Sequence, residues 1–160
     1  MVAARRTDPD RLMKIEQAIA GVKLIFLDTA PVIYYIERHP TFFPLVRPIF
    51  ESLSDGDFRA VSSPITLAEC SIVPYRQGLL ELQQDFADAL VRNESVIFRI
   101  TDELVAIEAV KMRVKYGLKL PDAIQIATAI VSNCDAFLTN DIALSKVTEI
   151  RSIVVSELIL

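Results

Sequence analysis

The stretch KLIFLDTAPVIYYIE, Lys23–Glu37, runs a short apolar segment into Asp28 and then turns apolar again. A buried charge without a partner costs several kcal/mol or more, so Asp28 either ends its element, within reach of a cap or solvent, or faces an opposite charge. Lys23–Leu27 is too short and too continuously apolar for a half-exposed strand and reads as a buried one. Thr29–Glu37 then carries apolar residues on a helical repeat. A buried strand leading directly into a helix is the repeating unit of a parallel α/β sheet.

The unit recurs along the chain. Arg59–Ser62 is a brief strand ahead of a helix over Pro64–Arg76, which meets Pro74 near its end, and Leu79–Arg92 is an amphipathic helix after Gly78. SVIFRI, Ser95–Ile100, is β-branched and aromatic, hence a strand. Glu103–Tyr116 is a long helix ended by Gly117, Pro121–Ser132 is another opened by proline, and Asp135–Leu138 and Ile150–Val155 are strands. Thr41–Leu53 is expected as a helical segment broken by Pro44 and Pro48, before the turn SDGD at Ser54–Asp57. In front of the first strand, Asp8 as N-cap, Pro9 at the first helical position and Gly21 as a stop predict an amphipathic helix over Pro9–Ala20.

Five short strands separated by helices predict a three-layer α/β/α fold around a central parallel five-stranded sheet. The 160 residues contain no repeat, linker or composition break, so residues 1–160 are expected to form a single domain with 9–20 as an added N-terminal helix. A chain of this size buries about 70% of the surface its unfolded form exposes, enough for one core. Hydrophobic residues at 52% and charged residues at 24% exclude disorder and low-complexity fibres. With 17 basic against 21 acidic side chains the net charge is −4, so the molecule as a whole does not attract phosphate backbones or anionic lipid.

Cys70 and Cys134 sit in apolar helical patterns and read as reduced core thiols of a cytoplasmic protein rather than a disulfide. The N-terminus MVAARRTDPDRLMKIEQ has no continuous apolar stretch of the signal-peptide type, and no segment reaches the length of a membrane span. The single histidine, His39, reads as a loop residue, since one imidazole makes neither a zinc site nor a two-histidine ribonuclease site.

Four acids stand where an open parallel sheet binds ligands, beyond the carboxyl ends of its strands. Asp28 follows the first strand and Asp141 the fourth, in FLTND; Glu69 lies in SSPITLAEC about two helical turns after the second strand, and Asp122 is near the start of LPDAIQIATA. Each alone has an ordinary explanation as a cap, a helix-dipole partner or a solvated side chain. Glu69 and Asp122, however, are set in segments that otherwise read as interior, and no basic residue lies within a helical turn of Glu69. If the four converge, each pair at about 5 Å repels by roughly 3 kcal/mol at an effective dielectric near 20, which asks for a divalent cation. Oxygen ligands without His or Cys favour Mg²⁺ or Mn²⁺, and no loop resembles a twelve-residue EF-hand. Such ions support in-line hydrolysis of a phosphodiester without a covalent protein nucleophile.

LDTAPVIYYIE, SSPITLAE, LPDAIQIATA and FLTND, in this order, resemble the four acidic motifs of the PIN-domain nucleases, particularly the VapC-like toxins of bacterial and archaeal toxin-antitoxin pairs. The resemblance runs from about Leu24 to the C-terminus. It implies a metal-dependent endoribonuclease with Asp28, Glu69, Asp122 and Asp141 as the catalytic, metal-binding acids, and Thr139 or Asn140 available to hydrogen-bond a water or phosphate beside them. It also implies Mg²⁺ (or Mn²⁺) as cofactor, an RNA substrate, cleavage leaving a 5′-phosphate and a 3′-hydroxyl, a cognate antitoxin protein as partner, and a homodimer. The added N-terminal helix departs from the family pattern, and so do Ala30 and Pro31, which replace a small polar pair after the aspartate.

Lys111 and Lys115 on one helix face, Lys119, Arg38 and Arg76 are the basic residues that could rim an RNA cleft; the alternative is a solvated charged face. Tyr34, Tyr35 and TFFPLVRPIF form an aromatic segment that reads either as part of an antitoxin groove, as the resemblance implies, or as core. The alternative function is a non-hydrolytic interaction module of the same fold, whose acidic pocket receives an arginine from a partner protein.

Overall fold

The computed structural model describes residues 8–160. After a 3₁₀ turn at Pro9–Arg11, the elements are β1 (Met13–Lys14), α1 (Ile15–Ile19), β2 (Leu24–Leu27), α2 (Thr29–Ile36), α3 (Phe43–Asp55), β3 (Arg59–Ser62), α4 (Pro64–Arg76) and α5 (Leu80–Leu90). There follow β4 (Val96–Phe98), α6 (Glu103–Tyr116), α7 (Leu120–Val131), β5 (Ala136–Thr139), a 3₁₀ segment at Ile142–Lys146, β6 (Arg151–Val154) and β7 (Leu158–Ile159). Strands β2 to β6 form one five-stranded sheet in the order β4-β3-β2-β5-β6, every pair parallel, as expected from the buried apolar strands.

Alternation along the strands divides the interior into two cores. Ile25, Leu27, Ala60, Ala136 and Leu138 face a core completed by Val32, Val46, Ile49, Phe86 and Leu90 of α2, α3 and α5. Phe26, Val61 and Phe137 face the other, completed by Val105, Ala109 and Met112 of α6 and Ala123, Ile126 and Ala127 of α7. Across the β2–β5 pairing Phe26 is in register with Phe137, and their rings stack 5.0 Å apart with a 5° interplanar angle.

That central pairing is fastened at both ends. At its start the Asp135 carboxylate accepts hydrogen bonds from the Lys23 and Leu24 amides at 2.8 and 2.9 Å, while the Asp135 amide donates to the Leu24 carbonyl at 2.8 Å. At its end the Asp28 amide donates to the Leu138 carbonyl at 3.0 Å. The amides of Lys23 and Leu24 hold the Asp135 carboxyl below its ordinary range.

Two sequence expectations are corrected here. The helix expected over 9–20 does not form as one piece. Asp8 does cap a helical start with Pro9 in first position, but the start is a single 3₁₀ turn, and Leu12 is extended. Met13–Lys14 leaves the helical pattern because it pairs in parallel with Leu158–Ile159, and an Arg11–Glu157 ion pair at 3.1 Å stands beside that pairing. Only Ile15–Ile19 is α-helical, burying Ile15 and Ala18. The second correction is α3, which runs unbroken. Pro44 lies in its first turn, where a missing N–H is not needed, and Pro48 removes one intrahelical bond without ending the helix. The helix stops instead at Gly56, whose φ of +83° a side chain rarely adopts.

Among the described residues no helix is long and apolar enough to cross a membrane. The reading of the N-terminus as lacking a signal-type apolar stretch falls partly on residues 1–7, outside the described residues.

Replacing Asp135 by Ala strips the Lys23 and Leu24 amides of their acceptor and is expected to lower stability by about 1–2 kcal/mol in urea unfolding at neutral pH. Because the folded carboxyl is depressed, its contribution is present above the ordinary carboxylate range and lost as pH falls through the folded value. The gap between variant and wild type therefore narrows in acid, and a gap independent of pH would refute this assignment.

Candidate functional site

From β2 the chain builds outward through β3 to β4, then returns to place β5 and β6 on the other side of β2. The β2–β5 boundary is thus the switch point, where connections diverge and leave a crevice beyond the carboxyl ends. Asp28 directly follows β2, Thr139 ends β5, and Asn140 and Asp141 come next. Glu69 sits in the middle of α4, and Asp122 in the first turn of α7.

Threonines bond the carboxylates of two of the four acids and the backbone of a third. The Thr139 side chain, fully buried, donates from Oγ1 to Asp28 Oδ2 at 2.7 Å and accepts from the Asp141 amide at 3.0 Å, so one hydroxyl joins the two acids that follow β2 and β5. Thr29 donates from Oγ1 to Glu69 Oε2 at 2.7 Å and ties α4 to the start of α2. Asp28 occupies the N-cap position of α2 without making the capping bond, which frees its carboxylate for the crevice. Asp141 caps the next 3₁₀ segment, accepting from the Ala143 amide at 3.0 Å through Oδ1.

The acids share one electrostatic neighbourhood. Burial raises the Asp28 carboxyl above its ordinary value; the Thr139 hydroxyl and Thr29 amide oppose this, and the charges of Glu69 and Asp122 add to it. Asp122 is raised by burial and by Asp141 and Glu69, with Lys119 opposing them. Each acid is therefore within the field of another. Among the described residues no three Asp, Glu, His or Cys side chains are drawn together as a ready-made metal-ligand group. The donors are carboxylate oxygens, which suit a hard divalent cation of the Mg²⁺ or Mn²⁺ kind.

Behind the acids lies a buried polar chain that the sequence reading missed. Thr66 Oγ1 donates to the Leu27 carbonyl at 3.0 Å and accepts from Gln125 Nε2 at 2.7 Å. The Ser63 hydroxyl donates to Gln125 Oε1 at 2.5 Å and, as N-cap of α4, accepts from the Thr66 amide at 3.2 Å. Ser63 and Thr66 are fully buried and Gln125 is 2% exposed. The available signal was a glutamine inside the apolar run AIQIATAI, since a buried amide needs partners.

Other expected residues have different tasks. Asn140 donates from Nδ2 to the Tyr34 hydroxyl at 3.0 Å and accepts from the Ser156 amide at 2.9 Å, so its amide joins α2, the β5 loop and the segment after β6. Lys111 pairs with Glu108 on its own helix and Lys115 with Glu149, which commits both cations locally. Tyr34 and Tyr35 stack on Phe42, Phe43 and Phe50 and pack partly buried against the first core, joining α2 to α3. His39 lies in the turn between those helices, its Nδ1 accepting from the Thr41 and Phe42 amides. Cys70 and Cys134 are unpaired thiols, and burial pushes Cys134 up to about 12.

The PIN domain family matches residues 25–150 of this chain. Among solved structures, VapBC2 from Rickettsia felis, bound to a promoter DNA fragment, is similar with a TM-score of 0.64 at 16% identity, over 81% of this chain and 97% of that one. A toxin-antitoxin complex from Klebsiella pneumoniae gives 0.63 at 20% identity, over 83% and 97%. VapC20 from Mycobacterium tuberculosis, a sarcin-ricin loop cleaving toxin, gives 0.62 at 14% identity, over 79% and 98%. At these identities the likeness is one of fold. No curated protein matches the chain in sequence.

With the Asp28 carboxyl raised in the folded state, the metal-free protein is stabilised by protonation, so its stability grows as pH falls through the folded value toward the ordinary one. Asp28→Asn is therefore expected to melt a few degrees above wild type at neutral pH without divalent cations. The advantage should vanish in acid. Calorimetric scans across pH test this, and an equal or lower melting temperature at neutral pH would count against it.

Proposed function

The chain belongs to the PIN-domain family, and from that premise we propose that it is a metal-dependent endoribonuclease acting as the toxin of a toxin-antitoxin module. What supports this reading is the family match together with the charge that Asp28 feels from Glu69 and Asp122, and Asp122 from Asp141 and Glu69, beside the sheet's switch point. Asp28 after β2, Glu69 on α4, Asp122 at the start of α7 and Asp141 after β5 would hold Mg²⁺ or Mn²⁺ through their carboxylate oxygens. Thr139 and Thr29 hold the Asp28 and Glu69 carboxylates in orientation, and the Ala143 amide that of Asp141.

A bound divalent cation supplies activation of water and neutralisation of charge building on the scissile phosphate and its leaving oxygen. The four carboxylates, at a net chain charge of −4, repel an RNA backbone by themselves. An RNA backbone would need that negative charge offset before it could occupy the crevice. The Thr139 hydroxyl, already donating to Asp28, fixes which carboxylate oxygen stays free toward the crevice.

The antitoxin partner is supported by the structural neighbours, which include toxin-antitoxin complexes. Exposed apolar side chains are available to bury in partners: Leu104, Ile107, Val110 and Val114 along α6, and Ile72, Tyr75, Leu79 and Leu80 around the α4–α5 turn. One such surface serving a second copy of the chain and another the antitoxin accounts for both. The cytoplasm, where RNA is the substrate and thiols stay reduced, is the compartment this module fits.

Asp28→Asn and Asp122→Asn are each expected to reduce Mg²⁺-dependent cleavage of RNA by about a hundredfold or more and to relieve growth arrest on expression without the antitoxin. Unchanged cleavage by both variants would refute the site. Titration of the free protein with Mn²⁺ separates the alternative, because a folded chain that binds no Mn²⁺ and cleaves no RNA is the interaction module instead.

A further inference from the structure

The chain Leu27–Thr66–Gln125–Ser63 spans three elements, and each lies next to an acid. Leu27 immediately precedes Asp28; Thr66 is one helical turn before Glu69 on α4; Gln125 is one turn after Asp122 on α7. We propose that Thr66 and Gln125 are positioning residues, which set the register of β2, α4 and α7 so that Asp28, Glu69 and Asp122 meet in the crevice. This inference rests on the metal-site reading above.

Directionality is the physical reason. Apolar packing tolerates a slide of one helix along another, whereas a hydrogen bond is lost when its atoms separate beyond about 3.5 Å. A slip of one residue moves a helix by about 1.5 Å and turns it by about 100°, enough to carry a side chain away from the partners that Thr66 and Gln125 now meet at 3.0 and 2.7 Å. The Gln125 amide is engaged at both ends, donating to Thr66 and accepting from Ser63, so its orientation is fixed as well as its depth. Around it α7 packs through Ala123, Ile126, Ala127 and Ala129, small or smooth side chains that fill space without fixing register. Stability alone does not call for this glutamine, since burying an apolar side chain there avoids desolvating an amide. Misplacement of a reacting group by about 1 Å can cost a hundredfold in rate, which gives such a device its use.

The test compares Thr66→Val, which keeps the shape and removes the hydroxyl, with Thr66→Ser, which keeps the hydroxyl and removes a methyl. The double variant Thr66→Val/Gln125→Leu removes both partners of one bond and serves as the stability control. Each is scanned for melting temperature without metal, then titrated with Mn²⁺ by calorimetry and assayed for RNA cleavage well below every melting temperature. Thr66→Ser is expected to bind Mn²⁺ within about twofold of wild type, and Thr66→Val and the double variant about tenfold more weakly, with kcat falling more than KM changes. The loss in the double variant should persist even where its melting temperature matches wild type. If Thr66→Val and the double variant bind Mn²⁺ and cleave as wild type does, the positioning role is overturned while the metal site stands. If wild type itself binds no Mn²⁺, the metal-site reading fails and this inference falls with it.

Discussion

The parallel pairing of β2 with β5 is the constraint on which the rest of the structure depends. These two strands are far apart in sequence, lie side by side at the centre of the sheet, and send the chain in opposite directions. Asp135 gathers the Lys23 and Leu24 amides at one end, and the Asp28 amide meets the Leu138 carbonyl at the other. Phe26 on Phe137 closes the seam on one face. Because the connections diverge there, the seam ends in a crevice rather than a covering loop, and Thr139 turns its last residue into the bridge between Asp28 and Asp141.

Much of this was legible in the residues. A buried parallel strand has apolar side chains on both faces, so LIFL and AFLT announce themselves without ambiguity, and an acid immediately after such a run marks the sheet's edge. The four acids drew notice because each stands at an element boundary or in an otherwise apolar helix. What stayed hidden depends on partners distant in sequence. The Pro9–Ala20 segment carries good local helix signals, yet two of its residues are taken by a strand at the far end of the chain. Pro48 looked like a break because the amount of surrounding apolar burial, with Val46, Ile49 and Phe50 all packed, is not visible locally. Gln125 was visible as a letter but not as a network, since Ser63 and Thr66 lie about sixty residues away.

The site also places a cost on the fold. Burial and like charge raise Asp28 and Asp122, and the charge opposing them at Asp122 comes from Lys119. Elsewhere the same protein treats acids differently: Asp135 accepts two backbone amides, and Glu149 is lowered to about 2 by the Lys115 ammonium and the Tyr116 hydroxyl. The contrast separates carboxylates that hold the structure from carboxylates that the structure must hold. At Asp28 the Thr139 hydroxyl and the Thr29 amide lessen that burden.

The distance along the chain between Asp28 and Thr139 has a consequence for how the protein is made. A polypeptide emerging from the ribosome presents Asp28, then Glu69, then Asp122, and the place beside β2 stays open until Ala136–Thr139 arrives to fill it. Domains built on such long-range pairings close late, since the intervening chain must be ordered before the contact is rewarded. The crevice is therefore a product of completed synthesis, and a nascent or prematurely terminated chain carries three of the four acids without the strand that closes one wall of it.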